Sequence, residues 1–318
     1  QVDRDDMDDG NNTDIFNAIF RPIVGDIKGA EGPVFDKNLE FFMVAPDVEV
    51  GGKYAGQILR IDLNKREASV FCEPNIDGNG GVPAGCQVDQ ENNLWVADMR
   101  LGLLVVKSDG TYSQVAKKDS DGNTMQGCND CAFDYTGALW VTAPAGDIAP
   151  APYRRSMEEP FGSVYCRTPS SEIIKIATGL YFPNGIAVSH TSEGKPNKLI
   201  VAETPTKSLW AFDIISPGKV ENKQLWGKLP GDHKGGPDGM DFDAEGNLLV
   251  ANWGGWHIDV FGPGGGQPIT RIKCVSENPS NVHFKPDSQE VYVTEHTFHG
   301  LWKFEWKNKG QKQYCELV

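Results

Sequence analysis

Short apolar segments with one shared pattern recur along the whole chain. The pattern is a bulky residue, any residue, Val, a small residue and a polar residue, and the central valines lie 43 to 60 residues apart. The six segments are Glu40–Asp47, Asn93–Met99, Ala138–Pro144, Lys198–Thr204, Asn247–Trp253 and Glu290–His296. This spacing fits one four-stranded blade per repeat. We therefore predict a single six-bladed β-propeller in which the Val-rich strands are the buried middle of each blade.

The first strand of each blade should line the central channel of such a propeller. Counting back about 12 residues from each valine, or 17 in the fourth blade, reaches one position per blade. These positions are Glu31, Ala84, Asn129, Asn184, Asp238 and Asn281. One Asn-Gly or Asp-Gly pair is typical of a turn. Five carboxylates or amides in the same register predict instead that the side chains meet on one axis.

A ring of carboxylates and amides favours a hard divalent cation. Close carboxylates are costly to bury without a counterion, and Glu31 with Asp238 would balance the charge of one such ion. Amide oxygens are good ligands for Ca²⁺ and poor ones for Zn²⁺. The residues therefore predict a calcium site in the channel.

Charge and composition narrow the possible partners. The chain of 318 residues has a net charge of −14, which argues against nucleic acid and anionic membranes as partners. No apolar run approaches the length of about 20 residues that a membrane span needs, so we expect a soluble protein. The hydrophobic fraction of 39% fits one folded core. We expect a monomer that binds a small, neutral organophosphate or lactone.

The N-terminus differs in composition from the rest of the chain. Residues 1–14 contain six Asp and one Arg and no apolar period. We predict an acidic, disordered tail over residues 1–15 and the propeller over residues 16–318. The sequon at Asn11-Asn12-Thr13, together with the start at Gln1 rather than Met, favours a secreted protein over a cytoplasmic one.

The seven cysteines are too few for a disulfide scaffold. Cys128 and Cys131 form a CxxC motif, but the chain has no second pair, which disfavours a zinc ribbon. We therefore predict buried free thiols.

Several contiguous runs resemble one known family. They include GAEGPVFDKN (29–38), MQGCNDCAFDY (125–135), FPNGIAV (182–188), DGMDFD (238–243), LLVANWG (248–254) and VTEH (293–296). These runs are similar to the diisopropyl-fluorophosphatase-like hydrolases of the gluconolactonase and senescence-marker-protein family of calcium propellers. The resemblance covers about residues 20–316. It implies a six-bladed propeller with two calcium ions and hydrolase activity on phosphotriesters and fluorophosphates.

The resemblance also implies roles for particular residues. The catalytic calcium would be held by Glu31, Asn129, Asn184 and Asp238, with Asn281 beside them. A second, structural calcium would be held by Asp241, His283 and the backbone carbonyl of Val282. The substrate pocket would be lined by Val82, Met99, Tyr153, Arg155, Phe182, Thr204, Trp253, Asn281 and His296. At position 47, where this branch of the family is expected to have Glu, the chain has Asp, which bears on substrate preference.

Two routes for the chemistry stay open at this point. Asp238 could attack phosphorus directly, or a calcium-bound water could attack with Asp238 or Glu31 as base, while Ca²⁺ polarises the P=O group. Direct attack by Asp238 is our hypothesis, because Ca²⁺ activates water less than Zn²⁺ does. His296 is either a general base or an orienting residue.

Three other functions compete with this one. A serine hydrolase is disfavoured because the chain has no Gly-x-Ser-x-Gly motif. A calcium-dependent lactonase with incidental phosphotriesterase activity is the alternative within the same fold. A non-catalytic, secreted binding propeller is the alternative from another class, although it would not need the complete Glu31, Asn129, Asn184 and Asp238 set.

Overall fold

The computed structural model describes residues 13–318, which fold into six sheets of four or five strands around a central channel. These sheets confirm the predicted six-bladed β-propeller. Within the described residues the structure contains no α-helix, and a short 3-10 helix lies at Tyr314–Glu316. Among these residues no helical segment has the length and apolar character needed to cross a bilayer.

The blades follow one another in chain order. Two strands precede the first blade: β1 (Asp14–Phe16) and β2 (Arg21–Val24). The first blade and its hairpin contain β3 (Glu31–Phe35), β4 (Phe41–Ala45), β5 (Glu49–Val50), β6 (Lys53–Tyr54), β7 (Gln57–Asp62) and β8 (Glu67–Cys72). The second blade, after a hairpin of β9 (Asn75–Ile76) and β10 (Asn79–Gly80), contains β11 (Pro83–Val88), β12 (Leu94–Asp98), β13 (Gly102–Val106) and β14 (Tyr112–Gln114).

The other four blades repeat this arrangement. The third contains β15 (Asp130–Phe133), β16 (Leu139–Ala143), β17 (Gly162–Arg167) and β18 (Ile173–Leu180). The fourth contains β19 (Pro183–His190), β20 (Pro196–Glu203), β21 (Ser208–Ser216) and β22 (Lys219–Lys228). The fifth contains β23 (Gly236–Phe242), β24 (Leu248–Trp253), β25 (His257–Phe261) and β26 (Thr270–Lys273), and the sixth contains β27 (Pro279–Phe284), β28 (Glu290–Glu295) and β29 (Gly300–Glu305).

The N-terminal strands join the two ends of the ring. Strand β2 pairs antiparallel with β29 and is the outermost strand of the sixth blade, so the chain closes the propeller on itself. Strand β1 pairs parallel with β26 at the edge of the fifth blade, with Ile15 opposite Arg271. The last two residues of the predicted tail therefore belong to β1. Residues 1–12, including Asn11 of the sequon, lie outside the described residues.

The six Val-rich segments are the second strands of their blades. Val44, Val96, Val141, Val201, Val250 and Val293 are all at most 2% exposed. They pack in the apolar layers between neighbouring blades, which is the buried position that the repeat predicts. All seven cysteines are buried and free, as predicted.

The first strands of the blades contact their neighbours all the way around the channel. Glycine allows this close approach at two of the contacts. A Cβ atom on Gly185 would overlap the carbonyl oxygen of Asp238, and one on Gly239 would overlap the side chain of Asn281. The polar positions of the fourth, fifth and sixth blades are thus held against one another by backbone contact.

The C-terminal segment covers one end of the channel. The Gln311 side chain donates to the Val188 carbonyl, and the Tyr135 hydroxyl donates to the Lys312 carbonyl. Because these contacts lie at the carboxyl ends of the first strands, the other end, where those strands begin, is the one that can open to a substrate.

Candidate metal and substrate site

Five polar side chains converge where the first strands begin. Glu31, Asn184, Asp238 and Asn281 lie in β3, β19, β23 and β27, and Asn129 directly precedes β15. All five are buried, as is Ala84 at the sixth position. The ring closes through a hydrogen bond of 2.8 Å from Asn281 Nδ2 to Glu31 Oε2 and through a side-chain hydrogen bond between Asp238 and Glu31.

Breaks in strand register accompany the ring positions of five blades. Strands β3, β11, β19, β23 and β27 each shift register against their second strands at or next to the ring position. Such irregularities interrupt the alternation of side chains between the two faces of a strand. Strand β15 is the exception, because its pairing with β16 is regular from Asp130 to Phe133.

Asp130 is a third buried carboxyl group that sequence analysis did not assign. Its Oδ1 accepts the Cys131 backbone N–H at 2.8 Å, and Asn281 also hydrogen-bonds it. It lies so close to Gly85 that a Cβ atom there would be 2.5 Å from Oδ1. The only signal in the sequence is its position beside Asn129.

Burial destabilises the charged forms of all three carboxyl groups, and repulsion from other carboxyl groups adds to it. Burial raises the pKa of Asp238 to about 8, with further repulsion from Asp130, while Arg155 acts in the opposite direction. Burial raises the pKa of Asp130 to about 7. Burial, followed by repulsion from Asp238 and Asp130, raises the pKa of Glu31 well above its ordinary value. A bound cation would remove this repulsion, so the carboxyl groups fit a divalent ion.

Two of the three ring amides, Asn129 and Asn184, are oriented by their own donors. Asn129 Nδ2 lies 3.6 Å from Met99 Sδ, and Asn184 Nδ2 donates to Thr204 Oγ1 at 3.1 Å. Both NH₂ groups thus contact a neighbouring side chain. The side-chain carbonyl oxygens of Asn129 and Asn184 are the atoms left for a hard cation. Thr204 in turn donates to the Pro237 carbonyl at 2.7 Å, which links Asn184 to the strand that carries Asp238.

The second predicted calcium site lies further along the channel. Asp241, Val282 and His283 all line a cavity of about 40 Å³ that the C-terminal segment covers. Burial raises the pKa of Asp241 to about 7 and lowers the pKa of His283 to about 3. His283 Nδ1 lies 3.9 Å from Asp241 Oδ2.

His283 fits the role of a metal ligand less well than Asp241 does. The Phe35 backbone N–H donates to His283 Nε2 at 3.2 Å. A neutral imidazole that accepts at Nε2 carries its proton at Nδ1, the nitrogen that faces Asp241. Ligation through Nδ1 would need the other tautomer.

Across residues 13–318, no group of three or more His, Cys, Asp or Glu is arranged as a metal site. The predicted catalytic site does not depend on such a group, because half of its four ligands are amides. The fit to a cation therefore rests on the repelling carboxyl groups and the oriented amides together.

Four of the nine predicted pocket residues form one apolar cluster together with Ala84. Val82, Met99 and Phe182 are buried in one cluster, against which Tyr153 packs. The Arg155 guanidinium lies 5.0 Å from the centre of the Phe182 ring. Small-molecule sites are typically apolar with a few placed polar groups, and this cluster has that character.

His296 is held by both of its ring nitrogens. Trp253 Nε1 donates to His296 Nδ1 at 3.0 Å, and His296 Nε2 lies 3.1 Å from the Ala30 carbonyl oxygen. Burial lowers the pKa of His296. Because Nδ1 accepts from Trp253 and Nε2 donates to Ala30, neither ring nitrogen has a free lone pair that could take a proton. The geometry therefore argues against the general-base role of His296 and favours an orienting one.

The mouth of the pocket contains residues that sequence analysis did not assign. A cavity of about 390 Å³ is lined by Asp47, Tyr54, Val82, Tyr153 and Arg155, among others. Tyr54 comes from the β5–β6 hairpin and packs edge-on against Tyr153, with ring centres 5.6 Å apart. In the sequence, the signal for this hairpin is the Gly51-Gly52 pair within the 52 residues that separate the first two central valines.

The fold and the channel ring define a class of protein, and comparison with known proteins identifies it. A family model described as the SMP-30/Gluconolactonase/LRE-like region matches residues 30–297. The chain belongs to this family.

Three relatives span most of the chain. The diisopropyl-fluorophosphatase of Loligo vulgaris is 61% identical over 96% of this chain and 97% of its own length. The gluconolactonase of Zymomonas mobilis is 26% identical over 87% of this chain and 81% of its own length. The crystal structure of regucalcin, a calcium-binding protein from Agrobacterium tumefaciens, superposes with a TM-score of 0.73 at 18% identity, covering 96% of this chain and all of that one; it shows a shared fold.

Proposed function

We propose that this protein is a calcium-dependent hydrolase that cleaves the P–F bond of diisopropyl fluorophosphate and related neutral phosphotriesters. The observation that carries the proposal is the 61% identity to the Loligo vulgaris enzyme across nearly the whole chain. The buried ring of repelling carboxyl groups beneath an apolar pocket supports it independently, because it gives a charged centre next to a site for alkyl groups.

Glu31, Asn129, Asn184 and Asp238 would hold the catalytic calcium. When bound, the ion would polarise the P=O group and neutralise the ring carboxylates. The apolar cluster of Val82, Met99 and Phe182 would bind the alkyl substituents and exclude water. Asn281, which donates to Glu31, holds that carboxylate in place.

Asp238 would act as the nucleophile. Its carboxylate oxygen forms a bond to phosphorus as the P–F bond breaks and fluoride leaves with the electron pair. Water then attacks the Asp238 carbonyl carbon, which releases the phosphodiester anion and two protons and restores the carboxylate. In the competing route, water attacks phosphorus directly and Asp238 or Glu31 takes its proton.

Fluoride release tests the activity. Wild type should release fluoride from diisopropyl fluorophosphate in the presence of calcium and should stop when calcium is chelated. Asp238→Asn should lose this activity, while Asp89→Asn should keep it, because Asp89 is an equally buried carboxyl group that binds the Trp95 indole and a turn at the other end of the channel. A folded, calcium-loaded wild type that releases no fluoride would refute the proposal.

Isotope labelling separates the two routes. A single turnover in ¹⁸O-water should place the label in Asp238, which mass spectrometry of the peptide carrying it would detect. Label found only in the product phosphodiester would eliminate Asp238 as nucleophile and leave the direct attack of water.

A lactonase activity of the same site is the second candidate. The Zymomonas mobilis relative is named a gluconolactonase, and the same ring would polarise an ester carbonyl. Turnover of a panel of aliphatic and sugar lactones by wild type and Asp238→Asn decides between a shared centre and a site restricted to phosphorus. A lactone turned over with a higher kcat/KM than the fluorophosphate would make the lactonase the principal activity.

A further inference from the structure

Four pocket side chains occupy the same place in four blades. Met99, Thr204, Trp253 and His296 lie at the ends of the second strands β12, β20, β24 and β28. Each directly follows a buried polar residue. These residues are Asp98, Glu203, Asn252 and Glu295, all at most 4% exposed.

Glu295 binds the turn that carries His296. Its Oε2 accepts the backbone N–H groups of Thr297 and Phe298 at 2.8 and 2.9 Å. Its Oε1 accepts Gly300 N–H at 3.2 Å and the Trp302 indole N–H at 3.3 Å. The turn therefore wraps around one carboxyl group, and the orientation of His296 depends on it.

Asp98 fixes two pocket residues at once. Its Oδ1 accepts the N–H groups of Val82, Arg100 and Leu101 at 3.0, 2.9 and 2.8 Å. Val82 belongs to the pocket itself, and Arg100 and Leu101 form the turn that follows Met99. Its Oδ2 is buried and has no hydrogen-bond partner, so one oxygen alone makes all three bonds.

Glu203 plays the same part in the fourth blade. Its Oε2 accepts the Tyr181 N–H at 3.0 Å, directly before Phe182. Its Oε1 accepts the Thr206 hydroxyl at 2.6 Å, in the turn that follows Thr204. Phe182 has a φ of 43°, a left-handed conformation that its surroundings must enforce.

We infer that Asp98, Glu203 and Glu295 are positioning residues that set the shape of the substrate pocket and hence its selectivity, without touching the substrate. This inference rests on the proposed function for its kinetic readout. The physical basis is that hydrogen bonds to a buried carboxyl group are strong and directional, and that displacing a binding group by about 1 Å can lower the rate about 100-fold.

The opposite end of the propeller supplies a matched control. Asp134 is as deeply buried as Glu295 and accepts the N–H groups of Thr136 and Ala138 and the indole N–H of Trp140. It thus binds a turn and a Trp, as Glu295 does, but it contacts none of the pocket residues. A carboxyl-to-amide change at Asp134 shows how much the melting temperature and kcat/KM change when such a turn is disturbed away from the pocket.

The experiment compares Glu295→Gln with Asp134→Asn. Each replaces one oxygen by an NH₂ group that faces a backbone or indole N–H donor. Glu295→Gln should lower kcat/KM for diisopropyl fluorophosphate about 10- to 100-fold and shift the side-chain ¹⁵N NMR signals of His296 and Trp253. Asp134→Asn should lower the melting temperature by about as much as Glu295→Gln does. It should keep kcat/KM for diisopropyl fluorophosphate within about twofold of wild type and leave the His296 and Trp253 signals in place.

Equal kinetic effects in the two variants, or unchanged His296 and Trp253 signals in Glu295→Gln, would overturn the inference. The NMR comparison needs no substrate, so it stands even if wild type shows no fluoride release, an outcome that would refute only the proposed function. If Glu295→Gln does not fold, Asp98→Asn serves in its place, read through the methyl signals of Val82 and Met99. Unshifted methyl signals in that variant would equally refute the inference.

Discussion

Burial destabilises the carboxyl groups at both ends of the channel, but their neighbours differ. At the open end, repulsion from Asp130 adds to burial at both Glu31 and Asp238, and the hydrogen bonds around them offset only part of it. At the covered end, Asp241 accepts the N–H groups of Phe242 and Phe284, each at 3.0 Å. The Gln313 side chain also hydrogen-bonds it.

This difference separates a site for a ligand from a site for stability. A cluster that is unstable by itself gains most from a bound cation. A carboxyl group that backbone donors already satisfy contributes to the fold with or without an ion. The open end therefore should control activity, and the covered end should control stability.

The largest expected effect separates these two roles directly. Asn184→Ala removes a ring oxygen and should lower fluoride release at least about 100-fold, since polarisation by a metal supplies several kcal/mol. His283→Ala at the covered end should keep most of the activity and lower the melting temperature by about 5–10 °C, because it leaves a buried cavity. Fluoride release and calorimetry on both variants measure this. Equal losses of activity in both would contradict the division of roles.

The second prediction concerns the pH dependence of stability without calcium. The folded pKa values of Asp130 and Asp238 are raised to about 7 and about 8 from an ordinary value of 3.8. The folded state therefore holds protons that the unfolded chain has already released. The stability these groups contribute is complete below about pH 4 and is lost as the pH rises towards 8.

Calorimetry of the calcium-free protein between pH 5 and 8 checks this dependence. Its melting temperature should fall by about 5–10 °C over that range relative to the calcium-loaded protein. A constant difference between the two forms across the range would show that the ring carboxyl groups are not the source of the repulsion.

The third prediction compares one amide substitution at each end in the calcium-free protein. At pH 8, Asp238→Asn should raise the melting temperature by about 2–4 °C, because it removes a charge from a repelling group. Asp241→Asn should raise it less, because it also removes a buried charge but its NH₂ group would face the N–H of either Phe242 or Phe284. Thermal melts of both variants and wild type decide this. An equal rise in both would mean that burial alone, rather than the pattern of hydrogen-bond donors, governs the covered end.

The sequence predicts the blades and the ring positions because both follow from local repetition. The Val-rich strands recur with one pattern, and Glu31, Asn129, Asp238 and Asn281 follow from it by an offset of about 12 residues, with a longer offset of 17 for Asn184.

Asp130 shows where the predictive power of that repetition ends. Strict alternation assigns adjacent residues to opposite faces of a strand, so a carboxyl group next to Asn129 is predicted to point away. The hydrogen bonds to Asp130 from the Cys131 N–H and from the Asn281 side chain have no signature in the sequence.

The covered end and the mouth depend on contacts between distant parts of the chain. Gln311 and Gln313 reach the channel from a C-terminal segment without repeats, and Tyr54 reaches Tyr153 from a hairpin in another blade. The contacts that favour an orienting role for His296 are hidden from the sequence for a similar reason, because its partners Trp253 and Ala30 are 43 and 266 residues away.

The smallest predicted effect is at the rim of the open end, where Asp47 replaces the Glu expected from the resemblance. Its carboxyl group is close to Gly29, since a Cβ atom there would be 2.6 Å from Oδ2, and its charge acts on both Tyr153 and His296. Asp47→Glu adds one methylene to an exposed side chain at the mouth, where we expect an effect on binding of about 1 kcal/mol, the low end of the range for a methylene in a closed pocket. We expect KM to change less than about tenfold, with more effect for bulky than for compact fluorophosphates, and kcat to stay the same.

The matched control is Glu49→Asp, an exposed carboxylate of the same cavity, which should change neither constant. A fall in kcat for Asp47→Glu would show that the rim acts on the reacting centre and would remove the distinction between rim and ring.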